Sequence, residues 1–212
     1  MKYIYISLIS ALLITSCDLS LQGPIEFDPA TPQFVDFKNQ TMLEWLETKR
    51  TPAGALADGE KFDSLLRAIS LTGLEAEFNG ADPKRTYLLL NNTAWVGTTA
   101  GKILRDIGNV RDMKAIPVAK LRALLQYHII TDYVHQIETT KDFRNFYYFQ
   151  TLIPGEQGRI SVKRNELYTL TINNGPQIPE ATRKSTGVQR HNYQMKNGIA
   201  HILNTYVRYV AF

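Results

Sequence analysis

Three kinds of side chain in this sequence carry enough chemistry to build a site: a single cysteine, four histidines, and a stretch where aromatic and basic residues interleave. Cys17 has no second thiol to pair with, which excludes an internal disulfide framework and a thiolate metal cluster. His128 follows Tyr127 at the end of the apolar pattern Leu121, Leu124, Leu125. A half-buried imidazole there donates to a backbone carbonyl while its ring packs on Leu124 and Leu125; direct partner contact is the alternative. His201 alternates with Ile199 and Leu203 on one side of an apolar strand, which makes it a packed core group. His128 and His135 have the spacing of two ligands on one helix, but Ile129-Ile130-Thr131 between them reads as strand, against a zinc site. There is no Gly-x-Ser-x-Gly elbow, phosphate-cradling glycine loop or His-Glu-x-x-His. Glu75 and Glu77 could flank a glycosidic bond, yet sequence spacing fixes no carboxylate separation. The chain reads as a non-enzyme without cofactor or metal.

The run Phe143-Arg144-Asn145-Phe146-Tyr147-Tyr148-Phe149 has two readings. As an exposed surface, Tyr147 and its neighbours would stack glycan rings or anchor a partner. As a strand, it buries Phe146 and Tyr148 on one side and leaves Tyr147 and Phe149 to cover the other. Arg183, Lys184, Arg190, His191 and Lys196 form a basic stretch, expected as a solvated, mobile loop. If it binds, its natural target is an acidic glycan or a partner's acidic face. Residues 18–140 carry 13 basic and 16 acidic side chains, whereas residues 141–212 carry 10 and 4, so the basic excess belongs to the second part of the chain. A net charge of +4 is too modest to argue for nucleic acid, which is not the expected partner of an exported chain.

Export is suggested by the first seventeen residues. Lys2, the apolar stretch Ile4 to Leu13, and Ile14-Thr15-Ser16-Cys17 resemble a bacterial lipoprotein signal with its lipobox. The stretch is too short and weakly flanked for a spanning helix. The resemblance implies cleavage before Cys17, diacylation of its thiol and acylation of the new amino terminus. With about 0.8 kcal/mol per buried methylene, several chains hold a protein durably on a membrane. An ordinary secretory signal with a chance cysteine is the alternative. The expected organisation is a signal peptide at 1–16, an acylated cysteine and tether at 17–40 with prolines at 24, 29 and 32, and a folded domain at 41–212. The implied location is the bacterial cell envelope, with the outer membrane or surface favoured over the inner membrane.

These residues must be positioned by recognisable elements. Thr41 and Glu44 fit a capping box for a short helix carrying Met42, Trp45 and Leu46. A second helical stripe runs through Phe62, Leu65, Leu66 and Ile69 to a stop at Thr72-Gly73, followed by a turn at Leu74 to Phe78. Thr86 to Leu90 has strand length, Thr93 to Ile107 alternates helically, and Pro117 suits the first position of another helix. Beyond Ile129 strands dominate: Phe146 to Leu152, Ile160 to Val162, Leu167 to Ile172 and Ala200 to Val207. Helices first and strands later predict an α+β chain rather than a βαβ alternation.

Three blocks in order resemble the fasciclin-like domain family. Thr86 to Trp95 is similar to its first signature, a strand leading through Asn92 into a helix start with Ala94 and an aromatic. Leu124-Leu125-Gln126-Tyr127-His128-Ile129-Ile130 is similar to its leucine-rich helix running into Tyr-His and a β-branched pair. Asn197 to Asn204 is similar to its closing Asn-Gly strand with one histidine. Leu90 stands where the family usually has proline, Thr131-Asp132 where it has Pro-Gly, and the segment 175–196 is long and basic. The resemblance implies a wedge-shaped β-sheet core flanked by helices, used outside the cytoplasm as a non-catalytic adhesion or protein-interaction module. Direct partner contact by Tyr127 and His128 is what it implies for the site. A glycan-binding accessory protein of an outer-membrane nutrient-uptake system is the alternative function.

Overall fold

The computed structural model describes residues 35–51, 61–80, 84–97, 101–178 and 183–209. The leader, Cys17 and most of the tether lie outside the described residues. The helical half begins as its capping signal predicts: in α1 (Met42–Thr48) the Thr41 hydroxyl accepts from the Glu44 amide and the Glu44 carboxylate accepts from the Thr41 amide at 2.7 Å. Helix α2 (Asp63–Thr72) stops at Gly73, which takes the left-handed conformation at φ 62° that favours glycine. The segment expected as a turn at Leu74 to Phe78 is instead a short helix, α3 (Glu75–Asn79). After strand β2 (Thr86–Leu90), the helical spacing of Thr93 to Ile107 resolves into two pieces, α4 (Asn92–Trp95) and α5 (Ile103–Gly108), the latter closed by Asn109 at φ 49°. Pro117 caps α6 (Val118–Tyr127), one position earlier than expected. Helix α6 packs on α2 and delivers Tyr127 and His128 to strand β3 (Ile129–Ile130).

The remaining strands make two sheets. Strands β1 (Val35–Phe37), β8 (Arg190–Met195), β9 (Gly198–Leu203), β2 and β3 form one, in the order β1-β8-β9-β2-β3. It is mixed: β2 runs parallel to β9 and β1 parallel to β8, while β8 and β9 form an antiparallel hairpin. Strand β9 lies between two neighbours and is buried along its whole length. Strands β4 (Tyr147–Gln150), β5 (Arg159–Arg164), β6 (Leu170–Ile172) and β7 (Thr186–Gly187) form an antiparallel second sheet. Its inner face buries Ile160, Val162, Leu170 and Ile172. A bridge between Ile130 and Thr151 joins the two sheets.

Two expectations are corrected here. Strand β1 falls inside the stretch read as tether, and its Phe37 packs on Trp45 and Tyr193, with centroids 5.7 and 6.2 Å apart. The stretch expected as a mobile basic loop contains β8, an interior strand with Asn192 and Tyr193 buried. The hairpin after it explains the Asn-Gly signature. Buried Asn197 accepts from the Met42 amide at 2.8 Å and donates to the Phe78 carbonyl at 2.9 Å, tying the hairpin to α1 and α3. Gly198 sits at φ 140°, where a Cβ would fall on the Arg85 carbonyl oxygen.

Candidate interaction site

Tyr127 and His128 leave the end of α6 pointing inward. The His128 ring is buried; its Nδ1–H donates to the Leu124 carbonyl at 2.8 Å, and its Nε2 accepts from the Val207 amide at 3.1 Å. Because an amide can only donate, the second bond fixes the proton on Nδ1. Burial lowers the imidazole pKa to about 4, so the ring is neutral at ordinary pH. The Tyr127 hydroxyl donates to the Arg159 carbonyl and accepts from Asn173 Nδ2, both at 2.8 Å, and burial pushes its pKa up. The pair therefore fastens α6 to the second sheet on one side and to the C-terminal segment on the other. It positions surface residues instead of presenting its own polar atoms.

His201 is equally enclosed, with its Nε2–H donating to the Val134 carbonyl at 2.8 Å. The His191 ring meets it edge-on at 5.7 Å. Burial, reinforced for His201 by the neighbouring His191 and His135, lowers their pKa values to about 3 for His201 and about 4 for His191. Among the described residues, no group of three or more histidine, cysteine or acidic side chains is placed to hold a metal ion.

The basic candidates separate. Arg183 donates to the carbonyls of Gly175 and Ile178 at 2.9 and 3.2 Å, pinning the turn after β6. Lys184 lies 3.2 Å from the Asp106 carboxylate and 3.7 Å from the centroid of the Tyr206 ring, and its burial lowers its pKa. It is a strut between α5 and the segment before β7, not a solvated charge. Arg190 is exposed at the start of β8.

The aromatic run divides between the two faces of β4. Tyr147 pairs across from Val162, and its hydroxyl accepts from the Asp142 amide at 2.9 Å, while Phe149 packs against the core opposite Ile160. Phe146 and Tyr148 take the outer face and remain half-buried. There Lys163 Nζ rides over the Phe146 ring at 4.6 Å and the Arg159 guanidinium over the Tyr148 ring at 4.9 Å. These two cations were not among the sequence candidates. Their signal was the period-2 alternation Arg159, Ser161, Lys163 opposite apolar Ile160 and Val162.

The fasciclin-domain profile matches residues 60–207. The chain belongs to the fasciclin-domain family. In fold it is similar to a FAS1 domain pair from the insect cell adhesion molecule fasciclin I, with a TM-score of 0.55 and 15% identity. That likeness covers 80% of this chain and 51% of the insect chain, so the protein spans about half the length of that relative. No curated protein matches the sequence. Fasciclin domains are non-catalytic modules of adhesion and protein interaction. In this fasciclin chain the family's Tyr-His signature is internal, and the outer face of the second sheet carries aromatic rings and cations.

Proposed function

We propose that this fasciclin protein is a lipid-anchored adhesion or protein-interaction module of a bacterial cell envelope, displayed at the outer membrane or surface. The observation that carries the reading is a fasciclin domain placed behind an apolar leader ending at the sole cysteine, Cys17. Acyl chains on Cys17 would hold the chain at the membrane, and the domain would meet its partner from there. Fractionation of cells making the full chain or Cys17→Ala tests the anchor: the variant is expected in the soluble extracytoplasmic fraction. An unchanged membrane association would overturn lipidation. Attachment of cells with and without the protein tests adhesion, with loss of attachment expected in the deletion strain. A second reading, a glycan-binding accessory protein of an uptake system, is favoured by the cation-bearing rings on the outer face of the second sheet.

A further inference from the structure

We propose that the tip of the hairpin between β5 and β6 dips into an anionic lipid bilayer, with Leu167 and Phe143 entering the acyl boundary and Tyr168 staying among the headgroups. The proposal rests on the lipid-anchored reading and adds to it a second membrane contact, made by the folded domain itself. Of the five large apolar side chains exposed among the described residues, three gather at this tip: Leu167 at 84%, Tyr168 at 47% and Phe143 at 37%. Phe143 and Leu167 border one depression together with Arg144, Lys163, Asn165 and Glu166.

The tip is a braced protrusion. The Asn165 amide donates to the Thr169 carbonyl at 2.9 Å and the Thr169 amide donates to Asn165 Oδ1 at 2.8 Å, which leaves Glu166-Leu167-Tyr168 as the loop. The third position of such a loop takes left-handed backbone and is usually glycine. Here it is Tyr168, at φ 63°, a strained conformation for an aromatic residue. Two contacts hold it: Gln136 Nε2 donates to its carbonyl, and the Arg164 guanidinium lies 4.7 Å from its ring centroid. Arg164 is itself buried and donates to the carbonyls of Thr140 and Lys141 at 2.9 and 2.8 Å. A loop fixed in this way loses little conformational entropy on insertion.

Shape, side-chain order and position select a bilayer over a folded partner. The most exposed apolar residue stands at the apex of a protrusion; a protein would need a matching cavity for it, whereas lipid closes around any protruding side chain. The apex is apolar, the amphipathic Tyr168 ring adjoins it, and Lys163 and Arg144 flank it, which is the order of groups found from acyl boundary to headgroup in interfacial segments. Asp142 is paired with Arg144 at 3.0 Å and Glu166 shares the tip, so attraction to anionic headgroups is modest and burial of the apex supplies most of the binding. Position supplies the rest. Val35, where β1 begins, pairs with Tyr193; the adjacent Asn192 donates to Gln136 Oε1 at 3.0 Å, and Gln136 holds Tyr168. The tip is thus three contacts from the point where the chain arrives from Cys17. With 17 residues between Cys17 and Val35, an anchored chain keeps Val35 within roughly 65 Å of the bilayer even at full extension. The tip then meets lipid at a high effective concentration.

The test reads depth at the tip in the Cys17→Ala full chain, whose only thiol is the one introduced for labelling. Glu166→Cys keeps Leu167 in place, and Glu156→Cys marks the turn at the other end of β5 as a control. Each carries an environment-sensitive fluorophore and is mixed with vesicles of phosphatidylcholine alone or with one third phosphatidylglycerol. With the anionic vesicles the label at 166 is expected to brighten several-fold and to be quenched by acyl-brominated lipid, and to do so several-fold less with the neutral ones. The label at 156 should show neither effect. Leu167→Ser in the 166-labelled chain should cut the response at least fivefold with thermal unfolding unchanged. A label at 166 that stays dim and unquenched, a response that survives Leu167→Ser, equal quenching at 156, or equal quenching in the two vesicles would overturn the proposal. Absence of quenching together with a photo-crosslinker at 166 joined to a protein in whole cells would overturn it in favour of a protein partner. Failure of the anchor is read separately by fractionation, and a quenched tip in a chain that carries no lipid would leave this contact standing.

Discussion

Single residues in this domain act mostly by closing distances that no other residue type could close. Gly198 is the sharpest case: a side chain would meet the Arg85 carbonyl, and the backbone at φ 140° disfavours any replacement. Gly198→Ala is expected to lower stability by about 2 kcal/mol or more, measured by urea unfolding. Tyr127→Phe is a gentler probe, since it keeps the ring but leaves the Arg159 carbonyl without its donor. A loss of about 1–2 kcal/mol is expected, and an effect near zero would show that the hydroxyl bonds are dispensable. These two positions were legible to different degrees. Asn197-Gly198 was legible as the opening of the family's closing strand, although the hairpin loop itself falls one residue earlier, at Lys196-Asn197. The inward course of Tyr127 was not readable, because the partners that hold its hydroxyl, Arg159 and Asn173, lie 32 and 46 residues away.

Among the elements, helices were more legible than strands for a physical reason. The cap of α1 and the stop of α2 are local: Thr41 with Glu44, and Gly73 in its left-handed conformation, are set by residues within one turn. Strands β1 and β8 depend on partners from the far end of the chain, and neither has an apolar alternation strong enough to announce it. In β8 a bulge between Arg190 and Tyr193, with Asn192 at φ 61°, breaks the period-2 pattern. Lys184 shows the same limit at the level of charge. Its partner Asp106 is 78 residues away, so a strut between two elements read as a solvated loop residue. A chain starting at Thr41 would lack β1, leaving β8 as a bare edge and Trp45 without the ring of Phe37. That truncation is expected to destabilise the domain by about 2 kcal/mol and to promote self-association, read by thermal unfolding and size-exclusion chromatography. A fold as stable and monodisperse as the longer chain would show β1 to be an accessory strand.

For the whole molecule the buried histidines set a pH dependence. His128, His191 and His201 are held neutral, with pKa values of about 4, 4 and 3 against 6.5 when exposed. Between the two values the unfolded chain binds protons that the folded chain refuses, so stability falls as pH drops from 6.5. The urea midpoint should be flat above pH 7 and decline from 6.5 to about 4, with the His201 contribution continuing to about 3. The expected loss is on the order of a few kcal/mol per histidine. A midpoint constant from pH 7 to 5 would contradict it.

The parallel pairing of β2 with β9 has a further consequence, for the order in which the chain can fold. Thr86 aligns with Ile199 and Leu90 with Leu203, so an apolar strand made early waits for a neighbour made more than a hundred residues later. Pairings of such long loops make folding slow and leave intermediates with exposed edges. A chain released before residue 199 would keep all five residues of Thr86–Leu90 open along one edge. Premature termination would then yield an aggregating fragment and not a smaller working domain, which makes the last strand the checkpoint for the rest.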